Sequence, residues 1–166
     1  MKLYIRQKVF SWRDRFTVKD EAGQDRYSVA GEIFTWGRKL HVYDAAGNEA
    51  AFIRAKVLTF LEQKYYIELG GQCYTLIKEF TFFKPKFRLE GVPWRMEGNF
   101  WEHEYNLVDG GETVMSISQK WLTWGDSYEL DIAEPKNELL CLCVALAVDG
   151  MKQDGADAAA ASSSAH

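Results

Sequence analysis

Residues Leu139 to Val148 form an unbroken run of ten apolar side chains near the C-terminal end of a 166-residue chain. The run is too short to cross a bilayer, which takes about 20 residues. Its composition favours helix. Pro135 and Asn137 ahead of it supply helix-start chemistry, either Pro in the first turn or Asn as the cap. Gly150 behind it is placed to end the helix. A helix that is apolar on every side must be buried on every side. The remainder of the chain therefore has to build an enclosure.

That remainder alternates with a period of two. Leu3, Ile5, Gln7 and Val9 alternate with Tyr4, Arg6, Lys8 and Phe10, and Leu40 and Val42 alternate with Lys39, His41 and Tyr43. Similar runs recur at Ala51–Val57, Gln63–Leu69, Cys73–Phe83, Lys86–Glu90, Trp101–Val108, Val114–Trp121 and Tyr128–Ile132. Each reads as a half-buried strand. Turn signals such as Glu21-Ala22-Gly23, Ala45-Ala46-Gly47-Asn48 and Gly70-Gly71 separate them. Aromatics at 14% of the chain suit such pleated surfaces. An internal repeat pairs Val42-Tyr43-Asp44 … Gly47 … Ile53-Arg54-Ala55-Lys56 with Leu107-Val108-Asp109 … Gly111 … Ile117-Ser118-Gln119-Lys120. Two copies suit a closed sheet made of two similar meanders.

The spacing fits an enclosed helix. Roughly 12 strands set ~4.8 Å apart and tilted ~40° close at a radius of about 12 Å. A helix with its side chains occupies roughly 5–6 Å of that radius. The gap holds one layer of inward side chains. The sequence thus predicts an all-β fold with one central helix: a roughly 12-stranded closed antiparallel barrel enclosing the C-terminal helix. Residues 1–152 make this domain, and the Ala/Ser-rich stretch 153–166 reads as a disordered tail.

The chain resembles the LURP-one-related family of the tubby C-terminal-like superfamily, which also includes the phospholipid scramblases. Three stretches carry the resemblance: Phe16–Gly23 leading to Tyr27–Gly31, Leu40–Gly47 leading into Ile53–Lys56, and the late apolar segment ending in Asp149. The resemblance implies a twelve-stranded barrel around a central C-terminal helix. It also implies contact with lipids, because tubby domains bind phosphoinositides through basic residues on the barrel and scramblases are proposed to act on membrane lipids. Plant relatives are linked to defence.

Charge is uneven along the chain. Residues 1–95 hold 17 Lys/Arg and 11 Asp/Glu, while residues 96–166 hold 3 and 13. Pairing between the two halves accounts for this, and the net charge of −4 argues against a nucleic-acid partner. Three cysteines, two of them in the apolar run, fit a reducing, cytoplasmic setting rather than a disulfide scaffold. The first ten residues lack the continuous apolar core of a signal peptide.

The candidate binding residues are Lys84, Lys86 and Arg88, which share one face of a strand while Pro85, Phe87 and Leu89 take the other. Three cations on one face suit an anionic phospholipid headgroup, with Arg giving bidentate contacts. A solvated outer barrel face is the plainer reading. Lys2, Arg6 and Lys8 share a face in the same way. His41, Glu102, His103 and Glu104 read as surface polar residues that do not converge on a metal. Trp36, Trp94, Trp101 and Trp124 read as packing residues. Cys141 and Cys143 lie roughly 200° apart on the helix and read as buried small hydrophobes. No nucleophile elbow, phosphate loop or dinucleotide motif is present. The expected function is a non-enzymatic binding or scaffold domain without metal or cofactor. Its expected partner is an anionic phospholipid or another protein. The alternatives are a small-ligand-sensing barrel, and a hydrolase whose site is assembled from distant strands.

Overall fold

The computed structural model describes residues 1–6, 15–32, 37–56, 62–82, 85–100, 102–122 and 125–165, without the side chains of residues 121, 122, 125 and 126. Its strands are β1 (Lys2–Arg6), β2 (Arg15–Asp20), β3 (Asp25–Gly31), β4 (Lys39–Asp44), β5 (Glu49–Ala55), β6 (Glu62–Leu69), β7 (Gln72–Glu79), β8 (Lys86–Glu90), β9 (Arg95–Asn99), β10 (Glu104–Asp109), β11 (Glu112–Leu122) and β12 (Gly125–Ile132). Each strand pairs antiparallel with its neighbours in sequence, and β1 pairs with β12 to close the barrel. A 3₁₀ turn, Pro135–Asn137, leads into one helix, α1 (Glu138–Ser163).

Period-two alternation becomes inside against outside. On β6, Gln63, Tyr65 and Ile67 face in, and on β4 Leu40 and Val42 do so. Tyr65, Ile67, Leu40 and Val42 form one core with Leu140 to Val148 of the helix. Burying each Leu or Val side chain contributes about 1.5–3 kcal/mol, so the helix and the inner wall stabilise one another. The two copies of the repeat are the hairpins β4–β5 and β10–β11, each with a register shift beside its turn. In the first, Asp44 Oδ1 accepts from the backbone N–H of Ala46 and Asn48, both at 2.9 Å, and in the β2–β3 turn Asp20 Oδ1 does the same for Ala22 and Gln24. These Asx-type bonds fix the turns, which end on glycines with positive φ at Gly47 and Gly23.

The helix departs from expectation at both ends. Pro135 opens the 3₁₀ turn, and Asn137 sits at the cap position of α1 without a side-chain cap bond. The helix also runs past Gly150 and Gly155 to Ser163, over residues read from the sequence as a disordered tail. A helical glycine costs only about 1 kcal/mol, and the alanines that follow are the best helix formers. Side chains from the barrel also tie down the stretch after Gly150, as described below.

Candidate functional site

The barrel has two unlike ends. At the end where the helix begins, Glu138 is buried and receives two hydrogen bonds from Arg26 at the start of β3, Nε to Oε1 at 2.8 Å and Nη2 to Oε2 at 3.0 Å. Burial and the charge of Glu138 push the neighbouring Tyr27 phenol up to about 12. Short hairpins surround this end. A shallow groove of about 390 Å³ beside β5 and the β6–β7 turn is lined by residues that include Glu49, Phe52, Glu68, Gln72 and the exposed Cys73.

At the other end the helix leaves the barrel, and polar side chains replace apolar ones. Asp154 accepts from Tyr65 Oη at 2.6 Å and from Gln63 Nε2 at 2.8 Å, and is ion-paired with Arg38, which also reaches Asp157. Burial, followed by the Asp154 charge, pushes the Tyr65 phenol strongly upward. A turn further into the barrel, Asp149 accepts from His103 Nε2 at 3.1 Å and from Gln153 Nε2 at 2.7 Å. Lys152 Nζ lies 3.0 Å from His103 Nδ1. The two contacts assign the tautomer: Nε2–H donates to Asp149, and Nδ1 accepts from Lys152. The His103 ring stacks on Tyr128 with centroids 4.0 Å apart. Both ring nitrogens are thus engaged in holding the helix. The Tyr105 hydroxyl, also within the barrel, has no hydrogen-bond partner among the described residues.

Beside this cluster lies a half-open cleft of about 560 Å³ between the helix and the end of β7. β7 and the segment after it supply Lys78, Phe80, Thr81 and Pro85, and the helix supplies Lys152, Gly155 and Ala156. Lys78 continues the inward face of Tyr74 and Leu76 and is 4% exposed. Its amine sits 5.4 Å from the Phe80 ring centroid. Burial lowers the pKa of both Lys78 and Lys152, while Asp154 opposes this at Lys78 and Asp149 at Lys152. The next residues carry the exposed large hydrophobics of the described chain, Phe80 at 52% and Phe82 at 103%.

Of the candidates read from the sequence, Lys84 lies outside the described residues. Lys86 and Arg88 do share the outer face of β8. Arg88 is not a lone cation. It donates to Glu79 and Glu90 and stands opposite the buried Ile77, whose other neighbour in register is Lys64. The long stems of Arg88 and Lys64 flank that outward isoleucine. Lys2 pairs with Glu129 at 2.8 Å, Arg6 is exposed, and Lys8 lies outside the described residues.

His103 corrects the sequence reading. It is neither on a strand nor at the surface: it sits before β10 with φ +54° and is 4% exposed. Glu102 and Glu104 are exposed, and Glu102 accepts from Asn99. His41 bridges Glu32 (2.8 Å) and Glu49 (2.7 Å), whose hydrogen bonds together outweigh burial and raise its pKa. Cys141 and Cys143 are buried as expected, and burial pushes the Cys141 thiol up to about 12 and that of Cys143 higher still. Such thiols are poor nucleophiles. Trp94 is buried, and Trp36, Trp101 and Trp124 lie outside the described residues. Among the described residues no group of three His, Cys, Asp or Glu could hold a metal ion, and no helix is long and apolar enough to cross a membrane.

A closed twelve-stranded barrel filled by its own helix, with a polar cluster where that helix leaves, defines the class. Within it, the chain belongs to the LURP-one-related family, whose model matches residues 1–149. It is 37% identical over 150 residues to "Uncharacterized protein YxjI" of Bacillus subtilis (strain 168), covering 90% of this chain and 92% of that one. A protein from Arabidopsis thaliana solved by X-ray crystallography has the same fold, with a TM-score of 0.60 at 15% identity, covering 91% of this chain and 90% of that one.

Proposed function

We propose that the protein is a non-enzymatic binding domain that docks peripherally on anionic lipid surfaces through the end of the barrel where the helix leaves. The observation that carries this reading is the pair of exposed phenylalanines, Phe80 and Phe82, on the segment that leads to Lys86. Aromatic rings that end one element and stand beside basic side chains suit the boundary between headgroups and acyl chains. Lys84, Lys86 and Arg88 take the headgroup role, with Arg88 giving up part of its pairing to Glu79 and Glu90. The test is sedimentation of the full chain with vesicles of phosphatidylcholine alone, or with phosphatidylserine or a phosphoinositide added, at low and physiological salt. Binding that needs the anionic lipid, weakens with salt and falls in Phe82→Ser and in the triple change of Lys84, Lys86 and Arg88 to Ala supports the reading. Protein left in the supernatant with every vesicle overturns it. The cleft beside the helix favours a second reading, a small-ligand-sensing barrel.

A further inference from the structure

The geometry points to a second site, distinct from the outer face: we infer that the cleft between α1 and the end of β7 holds a single-chain amphiphile with an anionic head. The inference rests on the small-ligand reading and needs no lipid surface. Three features of the cleft select this ligand chemistry.

The first is size and lining. About 560 Å³ lies within the range of pockets that take small molecules. Between the two lysines the lining is mostly apolar: Phe80, Pro85, Gly155 and Ala156. A hydrocarbon chain is the complement of such walls.

The second is the placement of the amines. Lys78 lines the cleft from the barrel wall and Lys152 from the helix. Lys152 Nζ already donates to His103 Nδ1, but an ammonium carries three N–H groups, so an anionic head in the cleft is met by a second donation from Lys152 and by Lys78. The carboxylates nearby are already committed. Asp154 is held by Arg38, Gln63 and Tyr65, and Asp149 by His103 and Gln153. A carboxylate and a phosphate monoester share the anionic oxygens that such a head needs. A positively charged amphiphile would not.

The third is Gly155. A Cβ built there meets nothing within 4 Å. Gly155 lines the cleft, so the helix presents no side chain at that position.

The experiment is isothermal titration of the full chain with decanoate and decyl phosphate below their micellar concentrations. Decan-1-ol and decyltrimethylammonium serve as the uncharged and cationic arms. The expected result is saturable one-to-one binding of at least one anion, about tenfold or more tighter than either control. The relative affinity of decanoate and decyl phosphate tells which head the site prefers. Gly155→Leu places a side chain in the cleft and favours helix, so it should fold, as circular dichroism would check, and lose about tenfold or more in affinity. Lys78→Met should lose the preference for anions over decan-1-ol. Phe82→Ser should leave decanoate binding intact while weakening vesicle binding, which separates this site from the surface reading. Absence of saturable binding by both anions overturns the inference. So does unchanged affinity in Gly155→Leu, or equal binding of the cationic amphiphile.

Discussion

Where the helix enters the barrel, one bidentate pair between Arg26 and Glu138 anchors it against short, regular hairpins. Where it leaves, Arg38, Gln63, Tyr65 and His103 hold the polar positions Asp149, Lys152, Gln153 and Asp154, and a cleft opens alongside. Both ends bury charge, but to different effect. A single well-satisfied pair closes a surface. A chain of linked polar groups that runs from the buried Asp149 and His103 to Lys152 at a cleft leaves room for something to be exchanged.

Removing an anchor should therefore have different consequences at the two ends. Arg26→Met strands the Glu138 carboxylate, whose side chain is 6% exposed. A loss of about 2 kcal/mol in global stability is expected, at the low side for a broken buried pair because Arg26 itself is half exposed. Urea unfolding measures it. Asp154→Ala removes an acceptor shared by Arg38, Gln63 and Tyr65 and should cost about 1–2 kcal/mol. Here the loss should be local: amide exchange should quicken after Met151 and stay slow from Leu140 to Gly150. Global unfolding of equal size in both variants would erase the distinction between the ends.

The pH response sharpens the contrast further. Burial lowers the pKa of Lys78 and Lys152 in the folded protein below the ordinary value of 10.5. The charged amines are therefore penalised in the fold at neutral pH. As pH rises through the folded values the native state releases these protons first, and the penalty is gone above 10.5. Lys78→Met should be more stable than wild type at pH 7, with the gap narrowing as pH approaches 10.5. A gap that stays constant over that range would remove the lysine from the account.

The smallest effect expected is at Tyr105, beside the helix between these two ends. Its buried hydroxyl lacks a partner among the described residues, so Tyr105→Phe should gain about 0.5–1 kcal/mol in thermal or urea unfolding. A loss instead would mean that the hydroxyl does bond in the folded protein.

The barrel was legible because two strong periodicities specify it. Alternation placed Leu40, Val42, Tyr65 and Ile67 on one face, and the all-apolar run demanded enclosure. The polar cluster was less legible. Lys78 could have been found, because it continues the inward series Tyr74 and Leu76 and breaks it with a charge. Its partners on the helix, Lys152 and Asp154, lie beyond Gly150, where a stop signal competed with helix-forming alanines and with tertiary ties invisible in one dimension. His103 depends on a left-handed backbone at a non-glycine residue, and nothing in its neighbours announces that conformation. Strand β7 ends at Glu79 rather than running on to Phe83, because hydrophobicity in Phe80 and Phe82 marks an exposed segment instead of a wall.

The seam between β1 and β12 has a consequence in time. Lys2 and Glu129, which bond across it, stand 127 positions apart, and the helix that fills the interior follows β12. During synthesis β1 has no partner on that side until β12 has emerged, and the inner faces of the early strands have no helix to cover them. Assembly is therefore postponed until α1 follows β12. Contacts of such long range close slowly. Until then the open sheet carries an unpaired edge and bare apolar residues, the condition in which strand-rich chains associate wrongly. The apolar helix thus acts as a completion signal: only a chain made through α1 can become a filled barrel.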